Sequence, residues 1–134
     1  VKLLKQIKSP YAGSLPDFGN FTEREPVKEM TIEAFKNAKV IAEYDKYEGT
    51  KKLMPFAKGV SAKTHTFDDK GNCTDVDFAK MMPLVLKGLS KKFKGYIGIE
   101  YEGGFMKMMG AGENYLGEDA GIKATKALLE KYRL

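Results

Sequence analysis

Apolar residues recur along this chain with two periods, one typical of helices and one typical of strands. A helical spacing of about 3.6 residues predicts helices over residues 1–8, 31–44, 45–53 and 76–91, and a last helix that begins near residue 118. Alternating or short apolar runs predict strands that end near Asp17, Lys63 and Tyr101. Helices and strands therefore alternate, which is typical of βα units around a parallel sheet.

Turn-forming residues separate these elements. A Phe-Asp-Asp-Lys-Gly-Asn segment predicts a turn in which Gly71 takes a positive φ. Thr31 is the expected N-cap of the second helix. Pro83 lies inside the predicted helix 76–91, so we expect it to kink that helix or to mark its first turns. Residues 103–117 are rich in glycine and methionine and are predicted to form a loop.

Three parallel strands are too few to close a barrel. A complete (β/α)8 barrel takes about 250 residues, and this chain has 134. We therefore predict one α/β domain over residues 1–134 that corresponds to the C-terminal part of a TIM barrel, with three parallel strands between helices. Because an open sheet exposes unpaired edges, we expect the missing barrel half, or a second copy of the chain, to complete it.

Composition and charge argue against several classes of protein. Hydrophobic residues make up 43% and charged residues 31% of the chain, as in ordinary globular proteins. No apolar run approaches the roughly 20 residues that span a bilayer, and no signal peptide is visible, so we expect a cytoplasmic protein, with an exported precursor as the alternative. The net charge is +5, but the lysines are scattered without interleaved aromatic residues, so nucleic acid is not an expected partner.

A single cysteine and a single histidine limit the metal chemistry of the chain. Cys73 has no partner for an intrachain disulfide, which agrees with a reducing compartment. It also lacks a CxxC partner, so a structural zinc site built from this chain is not expected.

Polar side chains stand at the carboxyl ends of all three predicted strands. In chain order they are Asp17, then Ser61, Lys63 and His65, then Glu100 and Glu102. Within each strand they share one face, because side chains alternate, and the carboxyl ends of barrel strands converge on one mouth. Two carboxylates with a histidine suit a divalent cation. Such an ion beside a carboxylate base can promote removal of a proton next to a carbonyl.

Several of these residues have a purely structural alternative. Asp17 could cap the turn that follows it, and Asn20 could fix the same loop. Lys63 could extend into solvent, and His65 could be an ordinary loop residue. Glu100 has the weakest alternative, because apolar residues flank it and burial of an unpaired carboxylate is costly.

Four segments in this order resemble one known family. They are Leu15-Pro-Asp-Phe-Gly-Asn-Phe21, Leu53-Met-Pro-Phe-Ala-Lys-Gly-Val-Ser-Ala-Lys63, Phe67-Asp-Asp-Lys-Gly-Asn72 and Gly95-Tyr-Ile-Gly-Ile-Glu-Tyr-Glu-Gly103. Together with the last helix they resemble the sugar phosphate isomerase/epimerase family, within the xylose-isomerase-like TIM-barrel superfamily. The resemblance covers nearly the whole chain.

The resemblance implies a site with one divalent metal ion, Mn, Mg, Co or Zn. Its ligands would be an upstream glutamate, which has no match in this chain, an aspartate matched by Asp17, a histidine, and a last-strand glutamate matched by Glu100. Glu100 would also be the catalytic acid/base residue. Ser61 stands where the family has its histidine, and Asn20 stands where epimerases often have a histidine that contacts substrate.

The expected function, once the barrel is complete, is therefore that of a sugar or sugar phosphate isomerase or epimerase, working by metal-assisted proton transfer next to a carbonyl. Asp17 and Glu100 would hold the metal, and Asn20, Lys63 and His65 would bind substrate oxygens. One alternative is a metal phosphodiesterase like the apurinic endonucleases of the same superfamily. Another is a non-catalytic sugar-binding barrel with a degenerate site.

Overall fold

The computed structural model describes residues 1–89, 95–110 and 114–132. Its elements in chain order are α1 (Lys2–Gln6), β1 (Thr22–Arg24), α2 (Ile32–Asn37), β2 (Val40–Glu43), α3 (Lys46–Leu53) with a 3₁₀ turn (Met54–Phe56), β3 (Val60–Thr64), α4 (Phe78–Leu89), β4 (Ile97–Tyr101), α5 (Gly103–Met108) and α6 (Glu118–Lys131). The architecture is mixed α/β, with a parallel pair β3–β4 and a separate antiparallel pair β1–β2.

The parallel pair forms the centre of the fold. β3 and β4 are joined by α4 and run side by side from Val60 opposite Ile97 to Thr64 opposite Tyr101. On the other edge of β3, residues 14–17 make isolated parallel bridges, one of them between Asp17 and Ser61. Two of the three predicted strands are thus confirmed, and the third segment lies beside them. The wider barrel stays a prediction.

The core lies where α4 and the 3₁₀ turn cover the sheet. The apolar face of α4 is buried, since Phe78, Met81, Met82 and Val85 are all nearly inaccessible to solvent. The helix continues through Pro83 to its end at Leu89. The ring of Phe78 meets that of Phe18 edge to face, with centroids 5.6 Å apart, a favourable aromatic geometry.

The last helix packs on β4 through one aromatic ring and one pair of hydroxyls. The Tyr101 ring lies so close to Gly121 that a Cβ there would be 2.3 Å from a ring carbon. The hydroxyls of Thr64 and Thr125 are 2.6 Å apart in the buried interface. Thr125 donates its hydroxyl hydrogen to the Gly121 carbonyl at 2.8 Å, so Thr64 is the donor to Thr125.

The prediction of one helix over residues 31–44 is wrong in its second half. Thr31 caps a helix that ends at Asn37, and the chain is extended from Ala38 onward. Residues 40–43 then form β2, which pairs with β1. The helical spacing of apolar residues continues through Ile41, but Ile41 is exposed, so no packing supports a longer helix.

One other segment differs from its prediction. Residues 103–117 are not loop throughout, because α5 occupies Gly103–Met108, and Gly110 follows with a φ of 74°. The turn glycine Gly71 has a φ of 76°, as predicted. The predicted end of helix 76–91 and residues 111–113 of the predicted loop lie outside the described residues. None of the helices in the described ranges is long and apolar enough to cross a membrane.

Candidate functional site

One buried lysine contacts three carboxylates that lie at the carboxyl ends of the parallel segments. The Lys63 side chain is only 6% exposed, and its Nζ lies 3.1 Å from Glu100 Oε1, 3.1 Å from Glu102 Oε2 and 3.7 Å from Asp17 Oδ2. The same ammonium donates a hydrogen bond to Asn20 Oδ1 at 3.3 Å. We call these residues, with Ser61, the Lys63 cluster.

The register of the sheet brings the cluster together. Lys63 is the partner of Glu100, and Ser61 is bridged to Asp17 on the opposite edge of β3. Because alternate side chains of a strand point the same way, Ser61 and Lys63 share one face. The structure thus unites Asp17, Asn20, Lys63 and Glu100, four of the five residues predicted for the site.

Asp17 has a structural role and a place in the cluster at the same time. Its Oδ1 accepts hydrogen bonds from the amides of Gly19, at 2.7 Å, and Asn20, at 3.0 Å. This turn aims the Asn20 side chain at Lys63. Gly19 is needed here, because a Cβ would lie 2.8 Å from the Lys63 side chain.

Asp17 and Glu100 are carboxyl groups in unlike environments. Burial, supported by the nearby Glu100, raises the pKa of Asp17, although the Gly19 amide and the Lys63 charge oppose this. Burial also works to raise the pKa of Glu100, but hydrogen bonds from Ser61, Lys63 and Asp17 outweigh it and lower that pKa. Neighbouring carboxyls whose pKa values are driven apart are suited to divide acid and base roles.

Lys63 stays charged at its buried position. Burial lowers the pKa of Lys63, but its hydrogen bond to Glu100 and the charges of Asp17 and Glu102 outweigh burial, so the pKa is raised. A protonated amine cannot act as a nucleophile. The Lys63 ammonium is therefore a fixed positive charge at the carboxyl ends of the parallel strands.

His65 lies beside the cluster and is held by a residue that sequence reasoning missed. Its Nδ1 is 2.5 Å from Asp75 Oδ2, and its Nε2 is 3.5 Å from Glu102 Oε2. The hydrogen bond to Asp75 raises the pKa of His65, with burial opposing. Asp75 reaches this place because the turn after β3 folds back through a bridge between Phe67 and Cys73. The sequence predicted the turn at residues 67–72, but it did not show which side chain after the turn would contact His65.

The Lys63 cluster does not match the ligand arrangement of the predicted divalent metal. Among the described residues, no group of three or more His, Cys, Asp or Glu side chains is placed to hold a metal ion. The Glu100 oxygens contact Lys63 and the Ser61 hydroxyl, and Asp17 Oδ1 accepts two backbone amides. As arranged, the side chains do not fit such an ion. The metal itself stays a prediction.

A cavity opens next to the cluster. Its volume is about 510 Å³, and its walls include Gly19, Asn20, Thr22, Arg24 and Phe35. Ligand pockets of about 300–1,000 Å³ accommodate small organic molecules. Asn20 belongs both to this cavity and to the Lys63 cluster, so a ligand in the cavity can contact the residue that accepts a hydrogen bond from Lys63.

No model of a known protein family matches this chain, and no curated protein is significantly similar to it. The resemblance to the sugar phosphate isomerase/epimerase family therefore rests on the sequence motifs and stays a prediction.

Proposed function

We propose that the Lys63 cluster binds a sugar or sugar phosphate and transfers a proton at the carbon next to its carbonyl, as isomerases and epimerases do. The observation that carries this proposal is the meeting of Asp17, Glu100 and Glu102 on the buried ammonium of Lys63. Removal of such a proton creates an enediolate, whose negative oxygen is stabilised by a fixed positive charge.

Three residues of the cluster have distinct roles in this reaction. Glu100 is about two-fifths exposed, at 39% of its side chain, so it is the carboxylate base that a substrate can reach. Lys63 supplies positive charge to the developing oxyanion. The Asn20 amide, between the cluster and the cavity, hydrogen-bonds substrate hydroxyls. Positioned acid–base groups contribute typically 10²–10⁴-fold to rate.

The test follows proton exchange and needs no knowledge of the product. The purified protein is incubated in D₂O with D-fructose, D-xylulose and their terminal phosphates, and deuterium uptake next to the carbonyl is followed by NMR. Catalysed exchange with at least one sugar is expected, and Glu100→Gln should slow it by about 100-fold or more. Glu48→Gln is the matched control, because the Glu48 side chain is exposed on the surface of α3 and pairs with Lys51.

Two outcomes would overturn the proposal. One is the absence of exchange with all four sugars, and the other is exchange that Glu100→Gln leaves unchanged. Sugar binding without any exchange would instead support the non-catalytic barrel. Ser61 favours this second candidate, because its hydroxyl engages Glu100 at the position where the family has a histidine.

The endonuclease alternative is less well supported by the cluster. Asp17, Glu100 and Glu102 bring three carboxyl groups to one lysine, and this local excess of acidic groups repels a nucleic-acid backbone. A gel shift with abasic DNA tests this alternative directly.

We further propose that the parallel sheet is completed by additional strands. Among the described residues, β4 is paired along one edge, by β3. Ile99 of β4 is 38% exposed, and unpaired strand edges readily accept another strand. An upstream barrel half or a second copy of this chain would supply it, and sedimentation velocity separates the two.

A further inference from the structure

The Lys63 ammonium contacts both carboxylates that the family resemblance assigns to a metal, Glu100 at 3.1 Å and Asp17 at 3.7 Å. We infer that this ammonium takes the place of the divalent ion, so that the site carries a built-in cation and takes up no metal at these carboxylates. The part of the inference that concerns catalysis, that the ammonium assists proton transfer, rests on the proposed function. The structural basis of the inference is the contacts of Lys63 and of the carboxylates around it.

The hydrogen-bonding capacity of the ammonium is fully used. A protonated lysine has three N–H donors. Around Lys63, acceptor atoms lie at 3.1 Å in Glu100, 3.1 Å in Glu102 and 3.3 Å in Asn20. The side chain is thus held in place rather than passing through the site toward solvent, as an unpaired surface lysine would.

The spacing of the oxygens suits an ammonium and is too wide for a small divalent ion. The three carboxylate oxygens lie 3.1, 3.1 and 3.7 Å from Nζ. Mg²⁺ requires oxygen ligands at about 2.0–2.1 Å. An ion at the same point would need each carboxylate to move inward by about 1 Å or more.

The remaining oxygens of the two predicted ligands are also engaged. The Ser61 hydroxyl donates to Glu100 Oε2, and the Gly19 and Asn20 amides donate to Asp17 Oδ1. A metal that entered beside Lys63 would displace these donors and face a positive charge at short range. Metal uptake is therefore opposed while Lys63 is present.

Removal of the ammonium should reverse this. In Lys63→Gln, the carboxylates of Asp17, Glu100 and Glu102 lose their cation and remain close together, and clustered carboxylates are suited to hard divalent ions. The variant is therefore expected to gain a metal site that the natural chain lacks.

The test is a titration of the purified protein with MnCl₂, followed by calorimetry and by the EPR signal of free Mn²⁺. The natural chain should show no stoichiometric Mn²⁺ site. Lys63→Gln should bind one Mn²⁺ at least 10-fold more tightly than the natural chain does. Adding Glu100→Gln to that variant should remove the gain. Lys51→Gln is the control, because it removes an equal charge from an exposed side chain of α3.

One-to-one Mn²⁺ binding by the natural chain that is lost in Glu100→Gln would overturn the inference, as would equal binding by Lys63→Gln and Lys51→Gln. Circular dichroism checks folding, and Lys63→Met replaces Lys63→Gln if the latter is unfolded. If neither folds, the natural chain and Glu100→Gln decide the matter. The titration does not depend on turnover, so a failed exchange assay with the expected Mn²⁺ result would overturn the proposed function alone.

Discussion

Lys63 and Glu100 are register partners in adjacent parallel strands, and the Nζ of one lies 3.1 Å from the Oε1 of the other. The pair joins a nearly buried lysine to a carboxylate that solvent reaches. It also joins the two strands at their carboxyl ends, where the other acidic groups meet.

We expect Lys63→Met to lower the free energy of unfolding by about 1–3 kcal/mol. Loss of one partner of a buried ion pair costs about 3–5 kcal/mol, and the lower figure reflects the solvent exposure of Glu100 and Glu102. Urea unfolding at neutral pH measures the effect. Lys51→Met, at the exposed pair with Glu48, should stay within about 0.5 kcal/mol. Equal midpoints for the two variants would show that the cluster does not stabilise the fold.

The pair of His65 and Asp75 should make stability depend on pH. The hydrogen bond to Asp75 raises the pKa of His65 above its ordinary value of 6.5. Since the folded-state pKa is the higher one, the stabilisation is full below the unfolded pKa and is lost as pH rises through the folded pKa. Asp75→Asn should therefore destabilise the protein more at pH about 6 than at pH about 9.

NMR provides a direct readout for this pair, because the chain has 1 histidine. Its ring signals should titrate with a pKa above 6.5 in the natural chain and with a lower one in Asp75→Asn. Asp69→Asn, in the exposed turn, is the control. An unchanged titration in Asp75→Asn would contradict the assigned contact.

The Thr64–Thr125 hydrogen bond should show a strongly non-additive mutant cycle. Thr125→Val leaves the Thr64 hydroxyl buried without its acceptor, which costs about 1–3 kcal/mol. Thr64→Val/Thr125→Val removes both groups, so its loss of stability should be smaller than the sum of the two single losses. Denaturant unfolding of the four proteins measures the coupling energy, and simple additivity would contradict the contact.

Gly121→Ala should destabilise the protein even though alanine favours helices. A Cβ at this position would lie 2.3 Å from the Tyr101 ring, and overpacking typically costs about 1–3 kcal/mol. This outweighs a helix-propensity gain of up to about 1 kcal/mol. Gly104→Ala is the control, since Gly104 lies within a helix, α5, and the nearest atom to its Cβ position is 3.5 Å away. A more stable Gly121→Ala would show that the ring moves aside freely.

Strand periodicity predicted most residues of the Lys63 cluster, because the alternation of side chains depends only on local backbone geometry. The alternation in β3 and β4 placed Ser61 and Lys63, and then Glu100 and Glu102, on shared faces before any pairing was known. Parallel pairing then brought Lys63 opposite Glu100. The sequence identified these side chains as candidates. Their contact depends on the register between β3 and β4, which no local pattern encodes.

Long-range pairing explains what sequence reasoning missed. Residues 40–43 continue a helical spacing, yet they form a strand because residues 22–24 pair with them. Asp75 is one of several acidic residues in a polar loop, and only the folded turn brings it to His65. In both places a distant contact outweighs the local preference.

Tyr101 couples the depth at which α6 packs to the position of two carboxylates. Its ring separates β4 from Gly121, and its hydroxyl donates to the Leu116 carbonyl at 2.7 Å, just before the helix begins. Glu100 and Glu102 flank the same residue in the chain. A substitution on the far side of α6 that shifts this helix would therefore displace the Tyr101 ring. Through the backbone of β4 the shift would move Glu100 and Glu102, although the substituted residue does not contact the charged cluster.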